Sequence, residues 1–220
     1  MLLRTRDIPP PDQPTNTFLA LRPPWPIAER FHSDATQLCA DARVFGSQRP
    51  FFILHMTLLP LGGAMGRLPH HLLRSIDRAL GMVRFPAFEI VLDEAGSFET
   101  RKDSVPFVLE GRELMDVAAL RFAAMGALHA QELHVLAPKS FRPHMTLAYA
   151  RRRCPRMSVP PFRWKASEFQ LIESWVGRTR YVELGRWTLW DDAPPRWDSS
   201  PRKRSWRAEP FLKCAGEMSI

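Results

Sequence analysis

The sequence predicts a mixed fold of strands and helices built from two similar halves. Two observations lead to this prediction. Segments with strand-like and helical spacing of apolar residues follow one another along the 220 residues. In addition, the tetrapeptide His-Met-Thr-Leu occurs twice, at 55–58 and at 144–147, each time on a predicted strand that follows a predicted helix. The shared tetrapeptide and the shared order of elements indicate a structural pseudo-repeat.

In the first half, strands and helices are predicted to alternate. The predicted strands, which are apolar runs bounded by turn-forming residues, are 15–22, 50–63 and 85–98. The predicted helices, which carry apolar residues on one face, are 27–44 and 69–83. Pro60 and Gly62 are expected to stop the middle strand, because proline has no N–H to donate to a sheet and glycine weakens a strand.

The second half repeats this order and adds a hairpin. Its predicted strands are 104–111, 142–150, 167–177 and 181–190, and its long predicted helix is 112–133. The last two strands flank a Gly-Arg-Thr-Arg turn at 177–180. The second half therefore contains a strand, a helix and the second copy of the tetrapeptide, in the order seen in the first half.

Composition divides the chain into three predicted segments. Residues 1–14 form a proline-rich arm, 15–190 hold the periodic segments of one folded domain, and 191–220 form a basic, proline-containing extension. The periodic part is long enough for one sizeable core or for two small lobes that share a cleft.

Cysteine usage and hydropathy indicate a cytoplasmic protein. Cys39, Cys154 and Cys214 are an odd count without the spacing of a disulfide framework or a zinc site. The N-terminal arm turns charged and proline-rich before a signal-peptide core could form, and no stretch approaches the ~20 apolar residues of a membrane span. No metal, cofactor, membrane or obligate protein partner is expected, and the chain is predicted to be a monomer.

The net charge of +8 is concentrated in arginine clusters of the C-terminal half. These clusters lie at 151–156, 177–180 and 201–207. Such clusters attract the phosphate backbones of nucleic acids. The alternative is that they are solvated loops and a charged tail.

The repeated tetrapeptide places like side chains on like faces of its strands. Successive side chains of a strand point to opposite faces, so His55 and Thr57 share one face, while Met56 and Leu58 share the other. The copy at 144–147 repeats this pattern. If the apolar pairs enter the core, the two His-Thr pairs face solvent or a shared cleft, where two imidazoles and two hydroxyls would surround a small anion.

This set of side chains suits phosphoryl chemistry. An in-line displacement at phosphorus needs a base at the entering oxygen and an acid at the leaving oxygen, and histidine, with an unperturbed pKa near ~6.5, serves in either role. We therefore predict His55 and His144 as catalytic residues, and Thr57 and Thr146 as donors to the non-bridging oxygens. A single His-x-Thr is most often a structural pair, but packing does not explain two copies with the same apolar neighbours.

At these residues the sequence resembles the two-histidine phosphoesterase superfamily, in particular the 2′-5′ RNA ligase / RNA 2′,3′-cyclic phosphodiesterase family. The signature of that family is two His-x-Thr-(Leu or Ile) motifs on strands, matched here at 55–58 and 144–147. The segments 15–24, 142–150 and 169–189 are similar to the family's opening strand, its second motif and its closing hairpin. The resemblance covers about residues 15–190.

The resemblance implies a bilobal α+β fold, in which two pseudo-twofold-related lobes of antiparallel sheet with flanking helices enclose the active-site cleft. It further implies metal-independent opening of the 2′,3′-cyclic phosphates of RNA ends or small nucleotides to 2′-phosphates. In this assignment His55 is the acid at the leaving 3′ oxygen and His144 is the base for water. The reverse reaction would be 2′-5′ RNA ligation.

One position departs from the family pattern, because Tyr149 stands where many members have arginine. Phosphate or ribose contacts are therefore expected to differ. The alternative function is a non-catalytic RNA- or nucleotide-binding module that uses the same cleft and basic surface. ATP-dependent ligation is disfavoured, because no lysine nucleophile motif is apparent. The further candidate contacts to substrate or RNA are Arg142, Tyr149, Arg151, Arg152 and Arg153.

Overall fold

The computed structural model describes residues 7–98, 104–135 and 140–190. The predicted C-terminal extension at 191–220 lies outside the described residues, as does the beginning of the predicted N-terminal arm. The three-segment division of the chain therefore stays a prediction.

Within the described residues, nine strands form one sheet. The strands are β1 (Pro14–Leu21), β2 (Gly46–Gln48), β3 (Met56–Met65), β4 (Phe88–Ser97), β5 (Val105–Glu110), β6 (Met145–Ala150), β7 (Met157–Ala166), β8 (Glu168–Trp175) and β9 (Arg180–Thr188). The helices are α1 (Trp25–Asp41), α2 (His70–Leu80) and α3 (Met115–Ala130), and a short 3-10 turn (Phe51–Ile53) precedes β3.

The helices begin where the sequence signals them. Pro24 and Pro69 occupy the N-cap positions of α1 and α2, where the missing proline N–H costs no helical hydrogen bond. Helix α1 buries Ala28, Phe31 and Ala35 at helical spacing. None of the helices in the described part of the chain is long and apolar enough to cross a membrane.

The two halves of the sheet have corresponding arrangements of strands and helices about its centre. The order is β7-β4-β5-β6-β3-β1-β8-β9, with β2 added beside β6, and the strand pairs are antiparallel. Read outward from the centre, β3-β1-β8-β9 corresponds to β6-β5-β4-β7. Helix α1 lies between β1 and β3 in the chain, and α3 lies between β5 and β6. The predicted α+β class is confirmed.

The two half-sheets do not follow the two halves of the chain. Strand β4 comes from the first half but pairs with β5 in the half-sheet of the second motif, whereas the β8–β9 hairpin pairs with β1 in the half-sheet of the first motif. Each half-sheet thus needs strands from both chain halves. Apolar periodicity shows which segments are strands but does not show which strands are neighbours.

Strand β3 begins and ends later than the predicted strand at 50–63. The prediction that Pro60 and Gly62 stop it is wrong, because β3 continues to Met65 and stays paired with β1. The register shifts between these two residues, where Leu61 is an extra residue. A bulge accommodates proline in a sheet, since it leaves one backbone N–H out of the ladder.

The main core lies on one face of the sheet, under all three helices. The apolar side chains of both motifs belong to it, and each is at most 1% exposed; they are Met56, Leu58, Met145 and Leu147. Of the residues that the structure describes, the opposite face carries no helix and a small apolar cluster of Phe18, Ala20 and Ile172, with Tyr181 packed against it. The helix-free face is therefore the one on which polar side chains of the motifs can meet a ligand.

Candidate active site

The two motifs meet at the centre of the sheet. Each histidine directly precedes the first residue of its strand, and these first residues, Met56 and Met145, are partners in the antiparallel β3–β6 pair. The residues that flank such a pair lie across from one another, so this register sets His55 beside Thr146 and Thr57 beside His144. The motif side chains that share this face are partly exposed. The structure therefore brings the four predicted residues together, while their roles stay a prediction.

Both histidines make the same hydrogen bond. Nδ1 of His55 lies 2.8 Å from the carbonyl oxygen of Ile53, and Nδ1 of His144 lies 2.8 Å from that of Arg142. A carbonyl oxygen only accepts, so Nδ1 carries the proton in each ring. Nε2 is then the atom left for chemistry, as a lone pair when the ring is neutral and as an N–H when it is protonated.

Aromatic rings fix the orientation of both imidazoles. His55 stacks on Phe18 with ring centroids 5.0 Å apart, and the Tyr181 ring meets it edge-on at 5.3 Å. His144 meets Phe98 edge-on at 4.6 Å. Packed rings hold the Nε2 atoms in place without occupying a further hydrogen-bonding position.

The environment of His55 favours its neutral form. Although part of the ring reaches solvent, desolvation by the surrounding side chains lowers the pKa of His55 to about 4. The hydrogen bond to Ile53 opposes this shift, and the positive charges of Arg49 and Arg22 add to it. In the free protein at neutral pH, His55 therefore carries a lone pair on Nε2.

The two strands next to the histidines carry charges of opposite sign, a carboxylate beside His144 and a guanidinium beside His55. Leu109 pairs with Met145, which sets the next residue, Glu110, beside His144. Glu110 is only 6% exposed, and it forms ion pairs with Arg142, at 2.7 Å, and with Arg156. On the other side, Arg22 follows the strand partner of Met56. Arg142, predicted as a substrate contact, thus already has a buried carboxylate partner.

An open cleft of about 630 Å³ lies beside the first motif. Its walls come from β1, β3, β6 and the β8–β9 hairpin, and they include Phe18, Arg49, Thr57, Tyr149 and Tyr181. The cleft, which Trp175 also lines, thus combines a predicted hydrogen-bond donor to phosphate with a cation and four aromatic rings. This combination suits a ligand that has both an anionic group and a flat ring.

A β-bulge follows the threonine of each motif. Leu58 and Leu147 are the extra residues, where the register of β3 with β1 and of β6 with β5 shifts. Each bulge sends two successive side chains to the core, and the residues after them face the cleft. Unbroken alternation from His144 would put Tyr149 on the core side. Because of the bulge, Tyr149 is instead 41% exposed and lines the cleft.

Sequence reasoning missed Arg49, the basic residue of the cleft. It lies between β2 and the 3-10 turn, and its Nη2 donates a hydrogen bond to the Tyr181 hydroxyl at 3.1 Å. Its guanidinium also lies 5.7 Å from the centre of the Tyr149 ring. A lone arginine six residues before the first histidine matches no motif, so only the fold reveals its place.

The predicted RNA contacts at 151–153 lie outside the cleft. They line a separate pocket of about 380 Å³ together with Arg43 and Phe45. This pocket is at the far end of β6, about 20 Å along the strand from His144 at ~3.3 Å per residue. These arginines therefore lie away from the two histidines, and their role as substrate or RNA contacts stays a prediction.

Over residues 7–98, 104–135 and 140–190, no group of three or more His, Cys, Asp or Glu side chains is arranged so that it could hold a metal ion. The expected metal independence of the chemistry stays a prediction, which an assay in EDTA tests.

Comparison with known proteins shows the family of the chain. Residues 19–178 match the family model of the 2′-5′ RNA ligase superfamily. The chain is 28% identical, over 186 residues, to the RNA 2′,3′-cyclic phosphodiesterase of Escherichia coli (strain K12), covering 80% of this chain and 98% of that protein.

Solved structures show the same fold. Apo E. coli LigT superposes with a TM-score of 0.61 at 24% identity and covers 81% of this chain and 99% of its own. The protein TT0787 of Thermus thermophilus superposes with a TM-score of 0.59 at 23% identity, covering 79% and 97%. The α+β fold is therefore shared with solved proteins over most of this chain.

Proposed function

The chain belongs to the 2′-5′ RNA ligase superfamily, as its two motifs predicted, and on this premise we propose that it is a phosphodiesterase. It opens the 2′,3′-cyclic phosphates of RNA ends or nucleotides to 2′-phosphates, and the reverse reaction would be 2′-5′ ligation. The observation that carries the proposal is the central Met56–Met145 pair, which sets two His-Thr pairs side by side on the helix-free face. The named activity of the E. coli relative supports the same reaction class.

In the proposed reaction, Nε2 of His144 takes a proton from a water molecule as the water oxygen bonds to phosphorus. The bond between phosphorus and the 3′ oxygen breaks, and Nε2–H of His55 gives its proton to that oxygen. The product is a 2′-phosphate with a free 3′ hydroxyl. Thr57 and Thr146 donate hydrogen bonds to the non-bridging oxygens, where charge increases in the transition state.

Substrate binding favours the protonated form of His55 that this step needs. In the free protein, desolvation and nearby arginines keep the ring neutral, since they lower its pKa to about 4. The negative charge of a bound cyclic phosphate offsets those arginines and stabilises the imidazolium. Protonation of His55 is therefore coupled to binding, and the free protein is not poised as an acid at neutral pH.

The basic pocket supports RNA ends over free nucleotides as substrates. Phe45 is 75% exposed, and it lies beside Arg43 and the three arginines at 151–153. Arginines bind phosphates, and an exposed ring can stack on an unpaired base. A mononucleotide between the histidines would not reach this pocket, whereas an RNA strand following β6 would.

A non-catalytic binding module is the second candidate, and the cleft's arginine and aromatic rings would suffice for it. The two histidines with matching Nδ1 hydrogen bonds favour the enzyme, because binding alone does not call for two oriented Nε2 atoms.

The experiment is incubation with 2′,3′-cyclic AMP in EDTA, followed by separation of 2′-AMP and 3′-AMP. The proposal predicts 2′-AMP from the wild-type protein and none above background from His144→Ala. Formation of 3′-AMP alone would contradict the assigned leaving oxygen. Binding of the nucleotide without turnover would establish the binding module instead.

A further inference from the structure

The Arg49 guanidinium has no acidic partner in the part of the chain that the structure describes. The ion pairs there link other arginines to carboxylates, including Arg67 to Glu173 and Arg142 to Glu110. Among the described residues, the side chain of Arg49 makes one hydrogen bond, which it donates to the Tyr181 hydroxyl. A guanidinium has five N–H donors, so a half-buried arginine with one bonded donor has capacity for a ligand.

Aromatic rings hold this cation at the cleft. Its carbon Cζ lies 5.7 Å from the Tyr149 ring centre and 6.0 Å from the Tyr181 ring centre. The distances are typical of cation–π contacts, which position a charge without neutralising it. Burial also raises the pKa of the Tyr181 hydroxyl, so this group stays neutral and leaves the arginine charge uncompensated.

The backbone around Arg49 is fixed before any ligand binds. Its N–H donates to the carbonyl oxygen of Leu147, the bulge residue of the second motif, at 2.7 Å. Its own carbonyl oxygen lies 3.1 Å from Nδ1 of His32 on α1. The preceding residue, Gln48, pairs with Ala148 across the β2–β6 ladder. The cation is therefore tied to the same bulge that turns Tyr149 into the cleft.

We propose that Arg49 is the anion-binding residue of the cleft and holds the substrate's phosphate against the two His-Thr pairs. It lines the cleft with Thr57, and its charge reaches His55. This proposal rests on the proposed function for the identity of the anion. Tyr149, on the strand of the second motif, stands where many family members have arginine. In this chain Arg49, in the segment before the first motif, supplies that cation instead.

The direct test is the binding of inorganic phosphate and of 2′-AMP, measured by calorimetry at low salt without turnover. A charge-assisted hydrogen bond contributes ~1.5–3 kcal/mol, so Arg49→Gln is expected to weaken both affinities by about 10- to 100-fold. Arg49→Lys should recover part of the loss, because the charge returns without the planar fork. Arg30→Ala, at an exposed position on α1, is the matched control and should bind like the wild type.

Two further measurements distinguish anion binding by Arg49 from a structural role in which Arg49 only holds Tyr149 and Tyr181 in position. If cyclic AMP is hydrolysed, Arg49→Gln should raise KM more than it lowers kcat. The acidic limb of the pH profile of kcat/KM should also move to higher pH, because the loss of a cation beside His55 raises the pKa of that ring. The double change Arg49→Ala/Tyr149→Arg should regain phosphate affinity, since the new guanidinium originates where the Tyr149 ring now contacts Arg49.

Unchanged phosphate affinity in folded Arg49→Gln would overturn the proposal, as would equal losses with Arg49→Lys and Arg49→Gln and no recovery in the double variant. The binding measurements do not require turnover. Wild-type binding of phosphate that depends on Arg49, without hydrolysis of cyclic AMP, would therefore reject the proposed function and keep the anion site.

Discussion

Met56 and Met145 face each other across the centre of the sheet, and both side chains are fully buried in the main core. This one pair fixes the relative position of the two motifs, because antiparallel register sets each histidine beside the threonine of the other copy. The buried apolar side chains of each motif therefore position its polar side chains on the opposite face of the sheet.

The first prediction concerns stability against pH. The pKa of His55 is about 4 in the folded protein, below the ordinary value of 6.5, so between these pH values the unfolded chain binds more protons than the folded one. Stability is thus expected to be highest above about pH 6.5 and to fall as the pH decreases towards 4. Urea unfolding of the wild type and of His55→Gln measures this contribution, and the variant should lose less stability over that range. Parallel curves for the two proteins would show that His55 titrates normally.

The second prediction concerns the basic pocket. Replacing Arg151, Arg152 and Arg153 by alanine should weaken binding of an RNA oligonucleotide with a 2′,3′-cyclic end. The slope of log K against log salt should become shallower by about 2, because each of three lost phosphate contacts contributes ~0.7 on a single strand. Hydrolysis of 2′,3′-cyclic AMP should change little, since the pocket lies about 20 Å along β6 from His144.

The control removes two exposed arginines from helices on the other face of the sheet, Arg30 and Arg78, and should leave the salt slope nearly intact. Equal losses on the oligonucleotide and the mononucleotide would place the cluster in the catalytic site instead.

The third prediction concerns the threonines. Thr57→Ala and Thr146→Ala should each lower kcat by about 10- to 10³-fold, because one donor to a phosphoryl oxygen is lost while proton transfer survives. Thr→Ser retains the hydroxyl and should recover most of the rate. A serine variant as slow as the alanine variant would indicate that the methyl group's packing matters, not the hydrogen bond.

Much of this site was predictable from the sequence, since the two copies of one tetrapeptide identify four side chains and assign them to one face. The bulges after Thr57 and Thr146 were not predictable, because a bulge depends on the neighbouring strand and not on local spacing. They decide that Tyr149 faces the cleft, where simple alternation would have placed it in the core. Arg49 was missed for a related reason, since its partners come from distant strands.

The missed strand β7 has a physical explanation. Its sequence contains the adjacent prolines Pro160 and Pro161, which argue against a strand in the middle of a sheet. Strand β7 lies at the end of the strand order, and both prolines fall where its pairing with β4 is interrupted, between Ser158 and Phe162, so their missing N–H groups break no ladder. Only the tertiary arrangement shows that the segment is at an edge.

The fourth prediction separates the acid from the base. A cyclic-phosphate analogue with a very good leaving group on the 3′ side needs no acid, so it should partly rescue His55→Ala and leave His144→Ala inactive. Rates on the analogue and on cyclic AMP give the comparison. Rescue of the His144 variant instead would exchange the two roles and leave the site itself unchanged.

The central claim is that His55 and His144 act together on one phosphorus, and the rate of 2′,3′-cyclic AMP hydrolysis in three variants tests it most directly. His55→Ala and His144→Ala should each lower kcat by roughly 10²- to 10⁴-fold, the usual contribution of a positioned acid or base. The double variant should be little slower than either single one, because residues that act as a unit are not additive. Wild-type rates in both single variants, with all proteins folded, would contradict the claim.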